Sequence, residues 1–428
     1  MIAARNSVVF AAAGLQQVRT TQKIWEQVSL HARLRVIRSL REQIARSQGA
    51  FLEAFAAQLR ANPAERLASE LIPLAEACRF LEEEAGAILA SRTLTRSRTP
   101  LWMRGIRVEE RRDPLGVVLI IGPANYPLFL PAVQAVQAIA AGNAVLLKPG
   151  EGAKPVLDAF REAAIQAGIP PDLIRVLGES AEEAQHAIAA SVDKILLTGS
   201  VAAGRAVYAA AAHAMSPITL ELSGCDPVFV QQGADLERAV DAISFGLRWN
   251  GGNTCIAPRR IFVAETVRET FEAVLQMRGS DAAQELPVTS FRTEEEALAL
   301  AAESPFALGA SVFGPQAQAE ALARRVRAGV VVVNDMIAPT ADPRVTFGGR
   351  GKSGFGRTRG AEGLRELTTP KVVIVQRAKR LRHLEPLSED AENVFANYLT
   401  MAHAGSWRER IAAAGNLFRS RRKRAGQK

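Results

Sequence analysis

Five short apolar runs, separated by alanine-rich stretches, constrain the fold of this chain more than any other feature. They are GVVLII from Gly116, AVLLK from Ala144, LIRVL from Leu173, KILLT from Lys194 and ITLEL from Ile218. A strand with one wet face alternates apolar and polar residues, whereas a continuous apolar run is covered on both faces. Helices are expected between the runs, after Pro127, Lys154, Ser180 and Val201. Strand and helix in repeated alternation describe a parallel, doubly wound α/β sheet. Such sheets bind ligands beyond the carboxyl ends of their strands, so chemistry is expected in the residues that follow each run.

The remaining segments arrange themselves around that sheet. The first hundred residues read as helices, with Leu30, Leu34, Ile37 and Leu40 at helical spacing and Asn62 before Pro63 as a helix start. Leu101 to Arg112 changes character, Ile106 and Val108 alternating with Arg107 and Glu109, and reads as a two-stranded arm. A second, smaller α/β region follows from about Asp226, carrying RRIFV, LPVTSF, ALGASVFG and AGVVVVND.

Composition removes several classes of function. With 48% hydrophobic and 23% charged residues, the chain is neither disordered nor fibrous. Cys78, Cys225 and Cys255 make no CxxC pair and are odd in number, which suits a reducing cytoplasm. The five histidines are scattered, so no metal is expected. An arginine interrupts the apolar start MIAARNSVVFAAAG, which argues against a signal peptide. The net charge of +9 belongs largely to the tail, where eight basic residues from Arg408 to Lys428 face only Glu409. Few aromatics interleave with them, so nucleic acid is not an expected partner.

Two glycine patterns are decoys. Gly349, Gly351 and Gly354 spell GxGxxG, but they follow a loop and not a strand, and read as a glycine-rich edge of a site. A phosphate-binding P-loop ending in Gly351, Lys352 and Ser353 fails because its first glycine would fall on Thr346.

The strand ends themselves carry unusual residues. Asn125 sits in the turn GPANYP, where a fixed side-chain amide can donate to a developing oxyanion. Lys148 and Glu151 follow the second run and suit ribose hydroxyls. Gly199, Ser200 and Gly204 open a helix whose free amides can face a phosphate. Glu221 ends a buried strand, an expensive place for a charge unless it is paired or works, and Leu222 follows it. Cys255 lies in GGNTCIAP, where glycines expose a thiol near a turn.

The succession NYP, KPxE, TGS, LELSG and GNTCIAP, from about Leu30 to Val375, resembles the aldehyde dehydrogenase superfamily. TCIAP followed by FGGRGKSGFG is most similar to its class 3 branch, which acts on fatty and aromatic aldehydes. The resemblance implies oxidation of an aldehyde to the acid with NAD or NADP. It gives Cys255 as nucleophile, Asn125 with the Cys255 amide as oxyanion hole, and Glu221 as general base. It gives Lys148, Glu151, Gly199, Ser200, Gly204 and Leu222 to the cofactor. It also implies a dinucleotide-binding domain over 1–100 and 114–224, an oligomerisation arm over 101–113 and 368–376 that makes a homodimer, and a catalytic domain over 225–367. The basic extension 377–428 suits peripheral contact with an anionic membrane.

The chain departs from the family pattern between Val263 and Gln284, where several tens of residues are missing. The catalytic domain is therefore expected to be truncated, and the glutamate that holds the nicotinamide ribose gives way to Ser280. Ser223 replaces the first glycine of the usual Leu-Gly-Gly. The alternative reading is a degenerate relative that binds dinucleotide or a partner subunit without turnover.

Overall fold

The structure, a computed structural model, describes residues 2–55, 62–94, 103, 105–378, 381–384 and 386–425. It divides into two compact units, Met1–Arg92 with Glu110–Val372, and Thr93–Glu109 with Val373–Lys428.

The first unit opens with helices α1 (Ile2–Trp25), α2 (Leu30–Arg46), α3 (Gln48–Phe55) and α4 (Pro63–Arg66). Asn62 caps α4 as its sequence suggests, accepting from the Glu65 amide at 2.8 Å. One π-helical turn, Leu67–Leu71, then leads into α5 (Ile72–Ile88). Extra residues of this kind inside a helix are frequent at functional sites.

β1 (Arg92–Thr93) and β2 (Ile106–Pro114) join β16 (Thr368–Gln376) in a sheet of order β1-β2-β16. Among the described residues, Leu101 to Arg112 contributes one strand, β2, to this three-stranded sheet. The partners of β2 come from elsewhere in the chain, which local alternation does not reveal. Leu101, Trp102 and Arg104 of the expected arm lie outside the described residues.

The apolar runs form the first large sheet. β3 (Val117–Ile121), β4 (Ala144–Lys148), β5 (Ile174–Val176), β6 (Lys194–Gly199) and β7 (Ile218–Leu222) are all parallel. The sixth strand, β15 (Gly354–Phe355), is antiparallel to β7, and the order is β15-β7-β6-β3-β4-β5. α6 (Phe129–Ala141), α7 (Lys154–Gln166), α8 (Ala181–Ala189) and α9 (Val201–Ala214) connect the strands. Every residue of β3 and of α6 is buried, as continuous apolar sequence requires of a central layer.

A second sheet, also parallel, has the order β10-β9-β8-β12-β13. Its strands are β8 (Asp226–Val230), β9 (Pro258–Ala264), β10 (Val288–Phe291), β12 (Gly309–Phe313) and β13 (Val330–Val333). α10 (Leu236–Arg248) precedes β9, and α11 (Arg268–Arg278) with α12 (Asp281–Gln284) forms the crossover from β9 to β10. α13 (Glu294–Ala302) and α14 (Gln316–Ala323) complete the connections, and β11 (Phe306–Ala307) pairs with β14 (Arg350–Gly351). α15 (Gly360–Glu366) leads into β16. The molecule is an α/β fold with two parallel sheets. Where the sequence suggested lost strands, the short stretch between Val263 and Gln284 still holds a helical crossover and aligns Val288 with Ile261.

The second unit ends in a helical hairpin of α16 (Ala391–His403) and α17 (Trp407–Ala425), joined by Asn416 Nδ2 donating to Asn397 Oδ1 at 3.0 Å. Phe395, Leu399, Trp407, Ile411 and Phe418 are exposed on it. Lys428 of the basic tail lies outside the described residues, and the side chains of Arg421, Arg422, Lys423 and Arg424 are not described. Among the described residues no helix is long and apolar enough to cross a membrane.

Candidate active site

Parallel strands put β3, β4, β6 and β7 carboxyl ends along one edge of the first sheet, and the candidate residues lie there. Asn125 follows β3. Its Nδ2 donates to the Asn253 carbonyl at 2.6 Å, and Asn250 Nδ2 donates back to the Asn125 carbonyl at 2.8 Å. The turn after β3 is thereby tied to the loop that carries Cys255, more than a hundred residues away. Tyr126 reinforces the tie through its hydroxyl, 2.8 Å from Thr254 Oγ1.

Glu221 on β7 is only 2% exposed. Its Oε2 accepts from Thr358 Oγ1 at 2.7 Å, while Oε1 is buried without a hydrogen-bond partner. The glycine-rich segment fixes the strand from the other side, with Gly354 opposite Glu221 and the Leu222 amide donating to the Ser353 carbonyl at 3.0 Å. Gly354 has φ +99, and a Cβ there would lie 2.0 Å from the Leu220 carbonyl oxygen. The pattern GxGxxG therefore serves strand pairing beside Glu221.

Two cavities meet at Cys255. One, of about 270 Å³, is walled mainly by apolar side chains, among them Tyr126, Phe129, Leu130, Phe245, Trp249 and Phe347. The other, of about 390 Å³, is lined by Thr198, Gly199, Ser200, Leu222 and Asn125, with Arg259 at its rim. Leu130, Glu221, Thr254 and Cys255 line both. A thiol and a carboxylate thus stand where an apolar chamber opens towards a polar one.

Burial pushes the Cys255 thiol up from its ordinary range, the carboxylates of Glu221 and Asp226 add to the rise, and the Arg359 guanidinium opposes it. Burial likewise raises Glu221, against the pull of Arg359 and the Thr358 hydroxyl.

The second cavity adjoins the start of a helix. Ser200 caps α9, accepting from the Ala203 amide at 3.1 Å, so the helix presents an amide end at the carboxyl edge of β6. The amide end of α6, by contrast, is filled from within the protein. Glu70 Oε2 accepts from the Phe129 amide at 2.6 Å and the Leu128 amide at 3.2 Å, and Arg66 donates to Oε1 at 3.2 Å. The amide end of the first helix after β3 is therefore already occupied by Glu70. Gly204 receives the Leu222 side chain, whose Cδ2 would lie 2.7 Å from a Cβ, so it lets α9 pack closely on β7. Neither Lys148 nor Glu151 lines the second cavity; both lie at the end of β4, which β3 separates from β6. There Glu179 accepts from the Gly152 and Lys154 amides, each at 2.9 Å. Ser280 caps α12, its amide donating to Ser244 Oγ at 3.1 Å, and it lines neither cavity.

Residues 6–282 and 286–373 match the model of the aldehyde dehydrogenase family. The chain belongs to that family. It is 27% identical over 433 residues to the 4,4'-diapolycopene aldehyde oxidase of Methylomonas sp, which spans 85% of this chain and 81% of that one. It is 28% identical to the 4,4'-diaponeurosporen-aldehyde dehydrogenase of Staphylococcus aureus, over 82% of this chain and 91% of that one. A solved structure, the substrate-bound state of a Staphylococcus aureus AldH, superposes with a TM-score of 0.79 at 24% identity, covering 90% and 98% of the two chains. The protein is therefore an enzyme of the aldehyde dehydrogenase family.

Sequence reasoning passed over Glu70, Thr358 and Arg359. Glu70 left a trace, since it falls on the same helical stripe as Leu67, Leu71 and Leu74. A charge on a buried stripe needs a partner. Thr358 and Arg359 left none, because their roles arise only when the loop folds back on β7.

Proposed function

We propose that the protein oxidises an apolar aldehyde, medium- to long-chain or aromatic, to its carboxylic acid through a thioester on Cys255. The observation that carries this reading is the position of Cys255 and Glu221 on the shared wall of an apolar and a polar cavity. The apolar walls suit an aldehyde such as those for which the two curated relatives are named, and they agree with the class 3 resemblance.

Each group has a physical reason for its role. Cys255 Sγ attacks the carbonyl carbon from the apolar cavity, giving a thiohemiacetal. Asn125 Nδ2 has a second hydrogen beyond the one given to Asn253, and with the Cys255 amide it faces the oxygen that gathers charge. NAD(P), when bound, takes up hydride. The α9 amide end, Ser200 and the Arg259 cation would hold its phosphates, Leu222 its nicotinamide side, and Lys148 with Glu151 its adenosine ribose. Glu221 then takes a proton from water through its unpartnered Oε1, and the hydroxide formed releases the acid from Cys255.

The domain plan follows the same reading: dinucleotide binding over 1–100 and 114–224, catalysis over 225–367 with a shortened β9 to β10 passage, and an arm of 101–113 and 368–376. We take the arm to make a homodimer. The α16–α17 hairpin, with exposed Trp407 and Ile411 beside Arg408 and Arg410, suits an anionic membrane surface contacted from the cytoplasm.

Purified protein should reduce NAD or NADP when given a panel of fatty, aromatic and polyene aldehydes, and Cys255→Ser should abolish the signal. Folded protein that reduces neither cofactor with any aldehyde would support a binding role without turnover.

A further inference from the structure

One charged side chain in the apolar cavity has no role in the account above. Arg359 is 5% exposed and lines the cavity together with Cys255 and Glu221. Its guanidinium stacks 4.4 Å from the Phe347 ring centroid and 5.6 Å from that of Phe129. One nitrogen donates to the Thr340 carbonyl at 2.8 Å, and the buried Nε has no hydrogen-bond partner. Among the described residues no carboxylate makes an ion pair with it.

An unpaired buried cation is costly, and the protein adds a second cost at the same position. Arg359 has φ +57 and ψ 174, a region open almost only to glycine. The preceding residue, Thr358, is the one hydrogen-bonded to Glu221, so the backbone at this position is tied to β7. One cation, one thiol and one carboxyl then share a low-dielectric chamber.

Charge balance gives the arrangement a meaning. With both acids protonated the chamber holds a bare positive charge, and with both ionised it holds a net negative one. It is neutral when a single negative charge sits on Cys255 or Glu221. We propose that Arg359 is a positioning residue that supplies the counter-charge for one negative charge shared between Cys255 Sγ and Glu221. In this scheme the Cys255 proton moves to Glu221 Oε1, breaking S–H and forming O–H, and passes on to solvent before Glu221 takes a proton from water, with the cation offsetting the charge at either place. Among the described residues, Tyr126, which stays protonated, and Asp226, which burial keeps protonated below about pH 7, also act on Cys255, so the count holds on the acid side of that pH. The inference rests on Cys255 being the nucleophile.

Alkylation tests it without turnover. Full-length protein without cofactor is treated with iodoacetamide across a range of pH, and peptide mapping follows Cys255, with the half-buried Cys225 as the internal reference. In Arg359→Met, Cys255 should react at least about tenfold more slowly at neutral pH, a deficit of one decade for each pH unit its ionisation moves up. Arg359→Lys should recover most of the rate, and Cys225 should be unaffected. A folded Arg359→Met protein with wild-type rate and pH dependence would overturn the proposal. So would a Lys variant as slow as Met, since that marks the planar stacking and not the charge. If Cys255 is unreactive in the unsubstituted protein, the nucleophile reading itself fails.

Discussion

Thr358 donates to one oxygen of Glu221 at 2.7 Å and leaves the other without a partner. The carboxylate is therefore anchored and incompletely satisfied at once, which suits a base that must accept a proton. Replacing Thr358 by Val keeps the shape and removes the anchor. A hydrogen bond to a charged group contributes about 1.5–3 kcal/mol. Thioester hydrolysis should slow roughly 10- to 100-fold, with hydride transfer less affected. Pre-steady-state kinetics separate the two steps, and equal losses in both would contradict the assignment.

Asn125 is held between the two loops that converge on Cys255. Asn125→Ala should lower kcat by about 10²–10³, the usual cost of one oxyanion donor. KM should change much less. A change confined to KM would place the amide in ground-state binding.

Gly150 presses the loop after β4 against the turn that carries Asn125. A Cβ there would lie 2.3 Å from the Pro123 carbonyl carbon and 2.5 Å from the Ala124 nitrogen, both backbone atoms. Gly150→Ala should cost about 1–3 kcal/mol of stability. It should also reduce activity more than the stability loss explains, because Asn125 moves with the turn. Chemical denaturation and kcat measured on the same preparation check both parts.

Two buried carboxyls give stability a distinctive pH dependence. Burial pushes Glu70 from 4.5 up to about 7, against the Phe129 amide and Arg66, and pushes Asp226 from 3.8 up to about 7. A carboxyl whose folded pKa lies above its unfolded value keeps in the native state a proton that the unfolded chain has lost. The native state therefore loses stability as pH climbs from about 4 to about 7, on the order of 3 kcal/mol for each group. Tm should fall between about pH 4 and about pH 7 and level off above it, and Glu70→Gln should flatten part of that slope. A Tm that rises over this interval would show that the two groups are ionised in the folded protein at acid pH.

What the sequence revealed and what it hid follow from the range of the interactions involved. AVLLK, KILLT and ITLEL announced β4, β6 and β7 because a doubly covered strand leaves a local signature. LIRVL overstated β5, which begins at Ile174 and ends at Val176, since exposed Arg175 belongs to an edge strand. Glu221 and Asn125 drew notice because each ends or follows such a run, and Cys255 because glycines precede it in GGNTCIAP. Their environment did not. The Glu70 clamp on α6 and the placement of Arg359 depend on contacts dozens to hundreds of residues apart, and the pairing of β2 depends on β16, far along the chain. The passage from β9 to β10 looked too short for a complete sheet, yet α11 and α12 span it, because a parallel pair needs only one helical crossover.

Trapping the acyl group on the enzyme tests the central claim most directly. In Glu221→Gln the thioester should form more slowly, because Cys255 loses its proton acceptor, but it should persist, so incubation with an apolar aldehyde and oxidised cofactor should leave a covalent acyl group on Cys255. Peptide mass spectrometry should find the Cys255 peptide heavier by the aldehyde less two hydrogens, with one reduced cofactor formed per enzyme. No adduct on Cys255 alongside continued turnover, or an adduct on another residue, would contradict the account.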